Sequence, residues 1–330
     1  ESQNAYPIRI SVKEGTDMTS LAPIFELTPG ATISPASGSV QNFTTPVRYT
    51  VTSEDKAWHR VYAITAREQK ASNIPTTYHF EKVRIMQNVW QEFYEEQDSG
   101  NELTWASGNK GFKWAMSEAA TEDYPTTQID NGKTGKCVKL ETRLTGDLGN
   151  MVGMPIAAGN LFIGSFDMLN AITNPLSATR FGTPFYNKPL RLTGYYKYKA
   201  GEQFYENGEY TSRKDIFNIY AIFYDGVKYD SAGKGTDVTL DGNLPNQNYE
   251  HSSMVALALV SNPQETEGDE WKFFDIPFDY QRYGKKIDEA RLAKGEYKIG
   301  IIFASSKDGA TFEGAPGSTL LIDEVELIYE

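Results

Sequence analysis

Short runs in which apolar and polar residues alternate recur along this chain, and no stretch carries the apolar stripe of an amphipathic helix. A period of two places every second side chain on one face of a strand, so each run buries one side of a sheet. Tyr6, Ile8, Ile10 and Val12 set the pattern, and the turn residues Glu14-Gly15-Thr16-Asp17 follow. Leu21 to Leu27 reads as an edge or interrupted strand, because Pro23 cannot donate to a ladder. Ile33 sits among Gly30, Pro35 and Gly38. Val47, Tyr49 and Val51 alternate again, and Val61 to Ala66 supplies a last strand after the turn at 53–56. Strands at roughly ten-residue spacing predict an immunoglobulin-like β-sandwich over residues 1–71.

Residues 67–75 are polar and end at Pro75, which marks a joint, with the linker itself at 72–75. Over 76–330 the same vocabulary continues on a larger scale. Strands are expected at 136–141, 191–198, 216–224, 254–260, 272–278, 297–305 and 320–329. Gly-, Asn- and Asp-rich loops at 199–215, 225–253 and 306–318 separate them. A helix is expected only at Ser117 to Glu122, and residues 142–183 show little patterning. Two facing sheets with long loops at one end predict a jelly-roll sandwich of the galactose-binding or concanavalin-like kind.

The net charge of −12, with no run of four or more Lys or Arg, argues against nucleic acid, which demands a concentrated positive face. Cys137 is the single cysteine, so no intramolecular disulfide and no Cys-based zinc site can form; it reads as a small buried hydrophobe. His59, His79 and His251 are too scattered for a His-rich metal centre. No segment approaches the roughly 18 apolar residues of a membrane span. A start at Glu1, in a half-formed strand, suggests a sequence trimmed past a leader and past any lipidated cysteine.

A glycosidase needs two carboxylates about 5 to 9 Å apart across the scissile bond. The nearest candidates are Glu267, Asp269 and Glu270 in a polar loop and Asp323 to Glu326 on the final strand, none in a recognisable catalytic pattern. Nucleophile elbow, phosphate loop and zinc-protease helix motifs are likewise missing from the sequence. Sugar binding asks instead for an exposed aromatic platform with polar groups that fork to hydroxyls. Trp105 with Asn109, and Trp114 nearby, lie in a Gly/Asn-rich loop, where exposure is expected; Trp105 is the leading candidate. Tyr196 and Tyr198 face one way on their strand and Tyr195 the other, while Arg180, Tyr186, Asn187 and Lys188 could supply polar contacts. The competing reading is that these aromatics pack the core. On the last strand, period two puts Asp323 on a face with Leu321, Val325 and Leu327, where an acid must be paired, hydrogen-bonded or metal-bound.

Several segments resemble the putative carbohydrate metabolism domain (PCMD) of surface lipoproteins in Gram-negative gut bacteria. They are TYHFE at 77–81, LTWASGNKG at 103–111, TGKCVKLET at 134–142, AAGNLFIGSF at 157–166, FGTPFYNKPLRLTGYYKYKAG at 181–201, DIFNIYAIFYD at 215–225 and FEGAPGSTLLIDEVEL at 312–327. The first domain is similar to the Ig-like modules that precede such domains, through GATISPASGSVQNFTTPVRYTVTSED at 30–55. The resemblance implies export, an N-terminal lipid anchor at the outer membrane or cell surface (or a periplasmic location), and a glycan partner; it names no reaction. Carbohydrate-binding jelly rolls also hold a structural calcium between a Glu near the first strand and an Asp on the last, and Glu81 and Asp323 stand in the corresponding places. Such an ion wants six to eight hard oxygens. The leading expectation is a non-catalytic, cell-surface carbohydrate-binding or glycan-utilisation accessory protein. Its rivals are a glycoside hydrolase with carboxylates from separate strands, and a structural or adhesive surface protein.

Overall fold

The computed structural model describes residues 5–69, 71–97 and 100–330. The chain divides into two compact units, one running through Ala71 and one spanning Ser72–Tyr329. Lys70, in the expected joining segment, lies outside the described residues. Strands dominate both units, as expected of an all-β sandwich protein.

In the first unit β1 (Tyr6–Lys13), β2 (Thr32–Ser34), β3 (Val47–Thr52) and β4 (His59–Gln69) form one sheet in the order β1-β4-β3-β2. β1 runs parallel to β4, and the other pairs are antiparallel. The run 21–27 forms no strand: Leu21 makes a single bridge to Gln41, and Leu21 and Phe25 pack against the core of the sheet. Phe43, Tyr49, Ile64 and Ala66 are the core, with Leu21 and Phe25 packed on them. Tyr6 and Ile8 stay exposed, so the apolar face of β1 reaches the core only from Ile10 onward.

The second unit is a sandwich of two larger sheets. Its strands are β5 (Thr77–Tyr78), β6 (Thr126–Ile129), β7 (Cys137–Glu141), β8 (Asn160–Phe162), β9 (Thr183–Pro184), β10 (Pro189–Lys199), β11 (Asn218–Asp225), β12 (Met254–Leu259), β13 (Lys272–Pro277), β14 (Tyr297–Ala304) and β15 (Thr319–Tyr329). One sheet has the order β13-β10-β15-β7-β6, with β5 also on β15; the other has the order β8-β14-β11-β12, with β9 also on β14. Between them lie Val138, Leu192, Phe274, Ile322, Phe223, Ile301 and their neighbours.

The two sheets differ in what covers their outer sides. On β11, Ile219, Ala221 and Phe223 face the shared core, while Tyr220, Ile222 and Tyr224 pack under a third layer with Phe162, Phe181, Leu240 and Met254. That layer includes a small sheet of Gly164–Phe166, Thr179–Phe181 and Leu240–Asp241. Burial on both faces explains why this strand reads as an unbroken apolar run rather than an alternating one. The first sheet keeps its outer face part-open over β10, where Arg191, Tyr195 and Lys197 are half-buried, and open over β13, where Phe273 and Asp275 are exposed.

Three local expectations need correction. Ser117 to Glu122 is not a helix; α1 (Asn109–Ala115) precedes it, and only a 3-10 turn forms at 121–123. The poorly patterned stretch 142–183 contains β8, α2 (Gly146–Met151) and α3 (Met168–Thr173), the last capped by Asp167, which accepts from Leu169 N and Asn170 N. Finally, the period of β15 breaks. Ile322 and Val325 both face the core, because a bulge sets two residues, Glu324 and Val325, against Gly194 alone on β10. The extra residue adopts a left-handed conformation (Glu324, φ 48°), which lets the strand change phase. Asp323 therefore belongs with the bulge and not with an apolar face.

Candidate functional site

The side chains expected to form a glycan platform are not gathered in one place. Trp105 is 1% exposed and packs against Tyr78, Phe80 and Phe303, with ring centroids 5.0, 5.6 and 5.9 Å away. It is a core residue: two of its partners come from the segment 78–80 and the third from β14, a proximity that local loop composition cannot reveal. Asn109 is buried as well and acts as a clamp, its Nδ2 donating to Thr126 O at 2.7 Å and its Oδ1 accepting from Thr126 N at 3.1 Å. Tyr196 is buried against Phe217, 4.8 Å between ring centroids. Trp114 on α1 is 39% exposed, and Arg180 and Tyr186 are exposed on separate elements. Of these six, only Trp114 lines the apolar cavity described below.

A platform does exist, on the open outer face of the first sheet. Odd-numbered residues of β10 point outward, and β13 pairs with it so that Tyr195 lies opposite Phe273, and Thr193 opposite Asp275. The Tyr195 and Phe273 rings are 5.1 Å apart and tilted, and Phe273 is 53% exposed. Trp271, two residues before Phe273, lies under Lys197, whose Nζ is 5.1 Å from the indole centroid. Lys197 also pairs with Asp269 at 3.5 Å, and Arg191 Nε donates to Asp275 Oδ1 at 2.6 Å. The result is an aromatic strip, Trp271-Phe273-Tyr195, edged by charged groups able to donate to and accept from hydroxyls.

A turn, held by one buried and one exposed acid, borders this strip. β7 pairs with β15 over Thr319–Ile322 and β5 pairs with it over Val325–Glu326, which leaves a gap beside Asp323. The turn 132–136 fills the gap, closed by Gly132 N donating to Gly135 O. Asp323 Oδ2 accepts from Thr134 N at 3.0 Å and Oδ1 from Glu324 N at 2.8 Å; Glu81 Oε1 accepts from Lys136 N at 2.7 Å. Held in this way, the turn carries Lys133 over the Tyr195 ring, 4.9 Å from Nζ to centroid. Glu81 and Asp323, expected to share a calcium ion, here hold one turn through its peptide N–H groups. Those groups and Glu324 N aim positive hydrogens at three of the four carboxylate oxygens, whereas calcium asks for six to eight oxygen ligands. Among the described residues no group of three or more His, Cys, Asp and Glu gathers to hold a metal.

Burial raises the Asp323 carboxyl to about 6, against the opposing pull of its peptide donors. Burial likewise pushes the thiol of Cys137 up to about 12, helped by the negative Asp323. Cys137 is therefore an inert thiol beneath the turn. Two other buried acids are raised by burial and fully engaged. Glu95 accepts from Phe80 N at 2.7 Å and holds that residue in a left-handed conformation (φ 55°). Asp215 accepts from Ser306 Oγ, Ser318 Oγ and Ala315 N, between 2.6 and 2.8 Å.

A second concavity lies against the opposite side of the second sheet, under the third layer. It is an apolar cavity of about 170 Å³ between α1, α3 and the outward face of β8, β11 and β14, walled by Phe112, Phe162, Phe166, Phe181, Tyr220 and Ile302.

Comparison with known families decides the placement of this fold. Residues 79–328 match the model of the putative carbohydrate metabolism domain. The chain belongs to that family. Residues 2–66 match the N-terminal domain of SGBP, the surface glycan-binding proteins. A Bacteroides thetaiotaomicron protein of known structure, described as a putative glycoside hydrolase, is 46% identical over 98% of this chain and 91% of its own, with a TM-score of 0.70. A second, from Bacteroides vulgatus and described in the same words, is 50% identical over 79% of this chain and 100% of its own, with a TM-score of 0.72. No curated protein matches the sequence. The two family matches make this PCMD protein a glycan-related protein of the exported or surface class. No helix among the described residues is long and apolar enough to cross a membrane.

Proposed function

We propose that this PCMD protein binds glycans without cleaving them, and that the open face of β10 and β13 is where it does so. The observation that carries this reading is the strip Trp271-Phe273-Tyr195, outward-facing on a rigid sheet with Lys133, Lys197, Arg191 and Asp275 around it. Sugar rings present C–H faces that stack on aromatic rings and hydroxyls that fork to charged side chains, and a sheet face offers both at fixed spacing. Residues on strands hold such a constellation more firmly than residues on loops.

A hydrolase would need a pair of carboxylates aimed at one bond. Asp323, the acid with the most displaced titration beside the strip, has both oxygens engaged by peptide N–H groups. This favours binding over hydrolysis, although the two solved relatives carry hydrolase descriptions. The test is a polysaccharide array followed by titration of whichever glycan is retained. Phe273→Ala is expected to weaken retention by roughly tenfold, the scale of one lost stacking partner. Retention unchanged in Phe273→Ala and in Trp271→Ala would remove the strip from the proposal. New reducing ends on incubation with the retained glycan would establish the hydrolase reading in its place.

A further inference from the structure

We infer that the apolar cavity under the third layer is a binding site for a small aromatic carboxylic acid, separate from the proposed glycan face. Its volume of about 170 Å³ is close to that of engineered apolar cavities of about 150 Å³, which stay dry and accept benzene. The wall is made mainly of aromatic rings, methyl groups and glycines, with Trp114 and Val152 part-exposed. Such a space takes one six-membered aromatic ring and little more.

The polar part of the ligand follows from which lining groups are already engaged. Asn218 Nδ2 donates to Tyr249 Oη at 3.0 Å, and Asn160 Oδ1 accepts from Gly108 N at 2.8 Å. Ser306 Oγ donates to Asp215, and Thr145 Oγ1 donates to Met154 O. Among the lining donors left over, two bear on the polar part of a ligand. Thr179 Oγ1 is buried with no hydrogen-bond partner among the described residues. Lys307 is exposed, makes no ion pair among the described residues, and is the one charged side chain of the lining, which contains no acid. In a molecule of net charge −12, a lone cation beside an apolar cavity selects an anionic head group joined to an apolar body. A carboxylate directly attached to the ring, or one carbon away, keeps the whole ligand within such a volume, whereas a long-chain acid carries a tail the cavity would not contain.

The test is titration of the full chain with benzoate, followed by changes in the NMR signal of the Trp114 indole, with benzyl alcohol and decanoate as controls. Benzoate is expected to saturate with a Kd of about a millimolar or below, in keeping with a ligand of so few atoms. Benzyl alcohol and decanoate are expected to bind at least fivefold more weakly, and Lys307→Gln to bring benzoate to the level of benzyl alcohol. Ala171→Phe, which fills the cavity from α3, is expected to abolish both responses. Absence of saturable binding, or benzoate binding that Lys307→Gln leaves unchanged, overturns the assignment; the Lys307 arm stands even if Ala171→Phe fails to fold. Glycan retention is read separately on the Phe273 face, so failure of either proposal leaves the other testable.

Discussion

Asp323 is a residue that costs stability at neutral pH and is kept for what it holds. Its carboxyl is raised to about 6, from an unfolded value near 3.8. The folded state therefore binds the proton more tightly, so stability is fullest below about pH 4 and falls as pH rises through about 6. Asp215 and Glu95 are raised in the same direction by burial and add to the decline. Denaturant midpoints of Asp323→Asn and the parent, measured from pH 3.5 to 7, isolate the one group; the variant is expected to gain on the parent as pH rises across that window, and parallel curves would refute it. Asp215 is held in addition by a network of its own. Replacing Asp215 with Ala strands the Ser318 hydroxyl proton and the Ala315 N–H in the interior, while Ser306 keeps Thr142, at a cost of about 2 to 3 kcal/mol. Chemical denaturation would read this, whereas a change below 1 kcal/mol would mean that water takes over the network.

Several strands of the second unit are legible in the sequence almost to their ends, since Met254–Leu259, Lys272–Pro277 and Tyr297–Ala304 fall where the apolar runs place them, whereas Val83–Met86, Trp90–Glu96 and Thr126–Ile129 fall outside every expected run. What hid the rest is a matter of particular contacts. Trp105 lies outside any strand, and its burial is decided by Tyr78, Phe80 and Phe303, which no local window contains. The bulge at Glu324 reversed the phase of β15, so that period two assigned Asp323 to the wrong company. The aromatic strip leaves half a signal in the sequence: period two turns Tyr195 away from Tyr196 and Tyr198, but its partner Phe273 becomes visible only through the pairing of β10 with β13. The stretch 142–183 lacked a period because its residues line a cavity and a third layer rather than one sheet face. At this scale the bulge makes its own demand on Gly194. A methyl group there would stand 2.7 Å from Phe274 Cζ and 2.8 Å from Val325 Cγ2. Gly194→Ala is expected to destabilise by about 1 to 3 kcal/mol through overpacking, which thermal melting can measure.

For the whole molecule, the contrast in core size sets the order of unfolding. The first unit rests on Phe43, Tyr49, Ile64 and Ala66, while the second buries several times as many side chains. Small domains bury a smaller share of their surface and are correspondingly marginal. Calorimetry is expected to resolve two transitions, the smaller enthalpy at the lower temperature; a single transition would make the units one cooperative body. Calcium in the millimolar range is expected to move neither transition, since Glu81 and Asp323 are taken up by the turn 132–136. A rise in the upper one would return those acids to the role of ligands.

The strand Asn218–Asp225 is almost wholly buried, with the shared core on one side and the third layer on the other. Its amides are therefore the natural candidates for the last to exchange with deuterium, opening only when the unit unfolds as a whole. A slab that does not breathe is also a poor conductor of conformational news. Occupancy of the cavity on its far side should leave affinity at the Phe273 face untouched, so that the two sites would report on two molecules at once without confusing them.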